Sequence, residues 1–410
     1  MRNRLLFLIL GAAFLAGCTY VELPGKDEHD YSSGDSNALT LVDHQATEET
    51  KAMYSNLWAI KGKGFLFGHH DDLWMGRYWL GHNPKDDEDV ISSDTRSVCG
   101  DYPAVLGVDF AELIDDRYAS DPTTNGYKLR SVKQAYDMGM VTIVCLHMDN
   151  PMTYNSPGAN HNDKGGAWDN GSNQVVKQIL TDGSDVQNTY KLWMDRLADI
   201  IKNLKGSDEK TIPIILRPYH EHNHTWSWWG ASCTTEQEFK DLWQWTVKYL
   251  RDTKGVHNAI YAISPQIDSQ QSDNEYLLRW PGDEWVDFLG MDCYQGINNA
   301  VFTSNLKTLS RISLKKKKPC GVTETGVEGF TKRTYWTENI HAPMTGRKVS
   351  LLVTWRNKFV GMNESDKHYY SVYPGHPSEA DFNKMYAAEN TFFRKDIPDM
   401  YKMAENITVE

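Results

Sequence analysis

Ile214-Ile215-Leu216-Arg217-Pro218-Tyr219-His220-Glu221-His222-Asn223-His224-Thr225-Trp226-Ser227-Trp228-Trp229-Gly230 runs from an unbroken aliphatic segment straight into a carboxylate set among histidines and tryptophans. A short apolar run without alternation is the pattern of a strand buried on both faces, as in a parallel sheet covered by helices. The polar tail marks one end of that strand as the end that meets a ligand.

The same pattern recurs along the chain. Apolar runs at 64–70, 104–110, 139–148, 211–221, 259–266, 285–295, 319–325 and 349–357 make eight. Helical stretches separate them. Leu197, Ile200, Ile201 and Leu204 follow the spacing of one helix face, and Thr235-x-x-Glu238 is a capping box before the stripe Phe239, Trp243, Val247 and Leu250. Eight strands alternating with helices predict a closed parallel (β/α)8 TIM barrel, a single catalytic domain over residues 40–410. A doubly wound open sheet shares the alternation, but no Gly-rich phosphate turn follows the first run. Most runs end in polar or aromatic residues: His69-His70-Asp71-Asp72, Asp109, His147, His220-Glu221, Gln266, Asp292 and Tyr294, Glu324, Trp355-Arg356. Barrel enzymes place their active sites on that rim.

The net charge of −12 disfavours nucleic acid and anionic surfaces as partners and suits a neutral substrate. The 14 Trp and 21 Tyr, without a basic excess, point to stacking on an uncharged ligand, with a share of the tryptophans serving the core. At the N-terminus, Arg2 and Arg4 precede an apolar stretch at 5–14 that is short for a bilayer span. Leu15-Ala16-Gly17-Cys18 then resembles the lipobox of bacterial lipoproteins. That resemblance implies a signal peptide over 1–17, lipidation of Cys18 and anchoring to a membrane, the outer membrane being the expected one, on its surface or periplasmic face. An ordinary secretion signal is the alternative. Residues 18–39 read as a flexible polar tether. Without Cys18, five cysteines remain. Cys145, Cys293 and Cys320 fall in predicted strands and are expected as buried thiols, and Cys99 with Cys233 is the pair considered for a bridge.

Two carboxylates carry the chemistry. Glycosidic cleavage needs a proton on the leaving oxygen, and Glu221, with tryptophans lowering the local dielectric, suits an acid of raised pKa. The alternative is a structural ion pair with Arg217. Pro319-Cys320-Gly321-Val322-Thr323-Glu324-Thr325-Gly326 is a second apolar run ending in a glutamate, three runs later. Ends of the fourth and seventh strands face each other across a barrel mouth. Carboxyl groups about 5–5.5 Å apart there permit attack on the anomeric carbon and a covalent intermediate. Glu328 competes for the nucleophile's role but lies past the strand end.

This arrangement resembles that of the barrel-type retaining glycosidases, and within them the chain resembles glycoside hydrolase family 26. The matching residues are Phe67-Gly68-His69-His70-Asp71-Asp72, Gly107-Val108-Asp109, His147 with Asn150-Pro151, the segment from Arg217 to Gly230, Asp292-x-Tyr294, Glu324-Thr325-Gly326 and Trp355-Arg356-Asn357. The resemblance implies a retaining endo-acting β-1,4-mannanase acting on mannan, glucomannan or galactomannan without metal or organic cofactor. Glu221 would be the acid/base and Glu324 the nucleophile. His220 and Tyr294 would hydrogen-bond the nucleophile, with Arg217, Asn223 and Asp292 orienting the site. His147 would contact the reacting sugar, Trp168 and Trp226 would stack on saccharide, and Trp355 and Arg356 would bind its non-reducing side. Family members usually carry Gln where this chain has His70. Other glycan-utilisation proteins at the membrane would be its companions. A β-1,3-xylanase, a lichenase, an exo-acting mannobiohydrolase and a non-catalytic glycan-binding lipoprotein stay open as alternatives. A metal cluster of His69, His70, His147, His220, His222 and His224 is a further one, and it leaves Glu324 and the tryptophans unused. His222 and His224 are expected on a loop, facing solvent or substrate, and the four lysines at 315–318 at a solvated helix end.

Overall fold

Each of the eight apolar runs contains a strand: β1 (Phe65–His70), β2 (Val105–Asp109), β3 (Val141–Cys145), β4 (Ile214–Arg217), β5 (Ala259–Ile263), β6 (Phe288–Cys293), β7 (Cys320–Thr325) and β8 (Leu351–Thr354). In the computed structural model, which describes residues 37–115, 122–294, 298–361, 363 and 365–410, each strand pairs in parallel with the next. β8 pairs back onto β1, from Leu351 with Leu66 to Thr354 with His69, so the barrel closes.

Helix α1 (Glu48–Ile60) precedes the barrel. The strands are then followed in turn by α2 (Asp94–Cys99), α3 (Pro122–Asp137), α4 (Asp185–Asn203), α5 (Glu236–Lys248), α6 (Asp273–Tyr276), α7 (Asn299–Lys316), α8 (Trp336–His341) and α9 (Glu379–Tyr386). The capping box on α5 forms as predicted, with the Thr235 hydroxyl and the Glu238 carboxylate exchanging bonds with each other's backbone. Outer strand positions such as Val108, Val144 and Leu216 pack against the helices, together with Trp193 of α4 and Trp243 of α5.

Inside the barrel, alternate residues stack in layers. Leu66, Val105, Ile143, Ile215, Ile260, Phe288 and Val353 form one cluster with Met53, Tyr54 and Leu57 of α1. The helix therefore plugs the N-terminal end of the barrel. The Ser350 hydroxyl donates to the Leu57 carbonyl at 2.6 Å, and the Tyr54 hydroxyl to the Asp287 carbonyl at 3.0 Å. Farther along each strand the inward side chain changes from aliphatic to polar, and that change creates the site.

Several expectations shift. The signal segment and Cys18 lie outside the described residues. Ala38 and Leu39, assigned to the tether, pair with Thr408 and Val409 and belong to the domain. β4 ends at Arg217, so Glu221 stands on the following turn rather than on the strand. Cys99 and Cys233 are free thiols: the first donates to the Asp101 carbonyl and the second to the Asn170 carbonyl, while Cys145, Cys293 and Cys320 are buried as expected. Of the lysine run, Lys315 and Lys317 are exposed but Lys318 is buried.

Candidate active site

Glu324 reaches the barrel mouth because β7 breaks its own alternation. Val322 packs outside the barrel, and strict period two would send Glu324 outside as well. Instead Val322 pairs with Met291 and Glu324 with Asp292, which leaves Thr323 as an extra residue. The bulge turns Glu324 inward. There it is nearly buried and accepts from two donors: the Arg217 guanidinium and the Tyr294 hydroxyl, the latter at 2.7 Å. Arg217 also donates to Asp292 at 2.6 Å and to the Ser264 hydroxyl at 3.0 Å, and Thr323 donates to the other Asp292 oxygen at 2.6 Å.

Glu221 arrives by another route. The turn after β4 gives it a left-handed backbone, φ 55°, rare for a residue with a side chain. Its N–H donates to the Ser264 carbonyl at 2.7 Å, and its carboxylate accepts from the Trp226 indole at 2.6 Å. Oxygens of Glu221, Asp292 and Glu324 all lie within 4.8 Å of one another.

The two glutamates are electrostatically opposite. Burial, reinforced by the charges of Asp292 and Glu324, pushes the Glu221 carboxyl well above its ordinary range. Burial acts the same way on Glu324, but Arg217, helped by His220, His70 and His147, overrides it and holds the group at about 2. One carboxyl thus keeps its proton and the other does not.

A histidine pair stands beside them. His147 Nδ1 donates to Asp109 at 2.7 Å, and its Nε2 lies 3.0 Å from His220 Nε2. Burial works against the Asp109 charge, yet His147 holds that carboxyl below its usual range. His70 is buried on the same side against Trp355, with ring centroids 4.6 Å apart, and burial lowers its pKa to about 3. Gly107 makes room for it: a Cβ there would stand 2.5 Å from the imidazole.

These groups floor a cleft of about 430 Å³ whose lining includes every residue expected to touch saccharide: His147, Trp168, His220, Trp226, Tyr294, Trp355 and Arg356, with Glu221 and Glu324. Trp168 is 40% exposed and lies near-parallel to His147, centroids 5.5 Å apart, leaving an aromatic face open at the cleft wall. Arg217 and Asp292 stand behind the pair. Asn223 acts at a distance, clamping the turn to the next loop through two bonds with the Gln266 backbone, 2.7 and 2.9 Å.

Some roles differ from expectation. His220 bonds His147 rather than Glu324, because the Arg217 and Tyr294 donors occupy the two Glu324 oxygens. Arg217 pairs with Glu324 and Asp292, not with Glu221. Glu328 pairs with His368 on the rim. His222 is fully buried with its ring 4.3 Å from Phe239, and His224 pairs with Asp268, so the histidines do not gather as the metal alternative requires. Among the described residues two sets could approach a cation, Asp109 with Cys145 and His147, and Glu221 with Asp292 and Glu324. In the first a hydrogen bond already joins acid and imidazole; in the second the guanidinium supplies the positive charge. Glu112, from a short helical turn at 111–114, and His161, Asn162 and His368, from loops, also line the cleft and were not foreseen, since none of them lies on a strand with its periodicity.

A model of glycosyl hydrolase family 26 matches residues 42–331. A mannan endo-1,4-beta-mannosidase of Bifidobacterium adolescentis is 30% identical over 95% of this chain and 38% of its own length. One from Bacillus subtilis is 24% identical over 53% of this chain and 62% of its own. The chain thus spans less than two thirds of each relative. Among solved structures, a GH26 beta-mannanase from Bacteroides ovatus has a TM-score of 0.76 at 33% identity, covering 88% of this chain and 98% of its own. A modular endo-beta-1,4-mannanase from Cellulomonas fimi has 0.74 at 28%, covering 90% and 81%.

Proposed function

The chain belongs to glycosyl hydrolase family 26, and on that premise we propose that it hydrolyses β-1,4-mannosidic bonds within mannan, glucomannan or galactomannan with retention of configuration. The observation that carries this reading is the pair of glutamates with opposite proton affinities and oxygens within 4.8 Å. Glu324 attacks the anomeric carbon while Glu221 gives its proton to the leaving oxygen. The proton lost by Glu221 leaves it a base, which then takes a proton from water as that water attacks the same carbon and frees Glu324. Tyr294 and Arg217 keep the nucleophile aimed. Trp168, Trp226, Trp355 and Arg356 hold the sugars. Mannan as substrate is supported by the names of the relatives above.

Turnover assays on mannan, glucomannan, β-1,3-xylan and lichenan test the specificity, with mannan and glucomannan expected as substrates and β-1,3-xylan and lichenan not. Product lengths over time test the mode of attack: mixed oligomers early support the endo reading, and a single dimer from the start contradicts it. Glu324→Ala is expected to abolish turnover while oligosaccharide binding survives; residual activity above about 1% would mean that another group attacks. A non-catalytic binding lipoprotein would show no turnover at all. The lipobox further supports a membrane-anchored lipoprotein of the outer membrane. Mass spectrometry of the mature N-terminus is expected to find an acylated Cys18, and a chain starting at another residue would refute the anchor.

A further inference from the structure

The segment that follows β4 carries Glu221 and Trp226 and runs on to Thr235, the N-cap of α5. Carbonyls from both of its ends converge on one side chain. Arg279, from the turn after α6, donates to the His222 carbonyl at 2.7 Å and to the Thr235 carbonyl at 3.1 Å, and it also contacts the Thr234 hydroxyl. The residue is 4% exposed, and its guanidinium lies 4.7 Å from the Phe239 ring centroid. Among the described residues no carboxylate comes within ion-pair distance of it. Buried arginines ordinarily pair with an acid. Here carbonyl dipoles take that place. Burial lowers its pKa to about 10, which leaves it charged at neutral pH.

We propose that Arg279 is a positioning residue for the acid/base step, fixing both ends of the 222–235 segment so that the Glu221 carboxyl and the Trp226 indole stay where proton transfer needs them. The proposal rests on the reading of Glu221 as acid/base. The left-handed backbone of Glu221 is unfavourable for a residue with a side chain and persists only where its surroundings over-determine it. Anchors to other parts of the barrel surround it, among them the Glu221 N–H on Ser264, Asn223 on Gln266, and the His222 carbonyl on Arg279. Among the described residues the His222 ring finds no hydrogen-bond partner, and both of its nitrogens are buried. Among the described residues the carbonyl is therefore the only polar handle by which His222 is held. A forked guanidinium can span carbonyls from both ends, whereas an ammonium reaches from a single point.

The test compares kcat/KM for a mannooligosaccharide with that for the same chain bearing a dinitrophenyl leaving group, which needs no acid. Arg279→Ala is expected to lower the first about 10- to 100-fold and the second less than about 3-fold, as displacement of a general acid would. Guanidinium chloride, far below its denaturing range, is expected to restore part of the first value. Arg279→Lys, which keeps the charge, is expected to show the same split more weakly; it is decisive alone if the alanine variant does not fold. Equal losses on both substrates, or wild-type values on both, would overturn the proposal. Glu221→Ala, run alongside, keeps the two ideas apart. If it shows the split and Arg279 variants do not, only the positioning role fails. If it lacks the split, the acid assignment fails and the proposal falls with it.

Discussion

Glu221 and Glu324 are the same residue type a few ångströms apart, and one guanidinium separates their behaviour. Arg217 touches Glu324 and not Glu221. Arg217→Gln is expected to leave two buried carboxylates without their cation and to destabilise the protein by about 3–5 kcal/mol in urea unfolding. It is also expected to move the acidic limb of kcat/KM to higher pH, because Glu324 would regain affinity for its proton. The sign for stability follows from the same shift. Since the folded protein holds Glu324 at about 2 against an ordinary 4.5, its contribution is complete above 4.5 and is lost as pH falls towards 2. On the proposed mechanism the basic limb belongs to Glu221. Trp226 donates to its carboxylate and lowers its pKa, so Trp226→Phe is expected to move that limb to higher pH. A limb that stays in place would assign it to another group.

At the scale of elements, the site depends on two local departures from regularity. The bulge at Thr323 turns Glu324 through the wall of β7. On β2, Gly107 leaves the space that His70 of β1 fills, so the strand lacks a side chain where its neighbour needs room. Gly107→Ala is expected to cost about 1–3 kcal/mol by overpacking. Because His70 lies against Trp355, KM for oligosaccharide is expected to rise as well. Denaturant unfolding and steady-state kinetics check the two parts separately. The segment after β4 obeys the same logic on a longer scale, since carbonyl clamps on Arg279 replace the ladder that ends at Arg217.

The whole molecule divides stability from chemistry along the barrel axis. The N-terminal end is filled by aliphatic layers and closed by α1, while the C-terminal end is polar and open to the cleft. Leu57 belongs to the closing helix and is fully buried. Leu57→Ala is expected to destabilise by about 2–5 kcal/mol while leaving kcat and KM unchanged at temperatures where the variant stays folded. A fall in kcat parallel to the loss of stability would show that the plug and the mouth are coupled.

The barrel, the eight strands and the two glutamates were legible in the sequence because burial on both faces forces apolar runs, and a barrel confines polar residues to their ends. Glu221 stands out among His220, Trp226 and Trp229, and Glu324 ends the run that starts at Cys320. What each polar group touches was decided only by the tertiary structure. Arg217 chooses Glu324, His220 turns to His147, His222 sinks against Phe239, and Arg279 reaches across from another βα unit. Periodicity records which side of a strand a residue occupies, and a single bulge overrides even that at Glu324. Hydrogen-bond partners depend on distances between segments remote in the chain, set by packing of the whole barrel rather than by any one stretch of it.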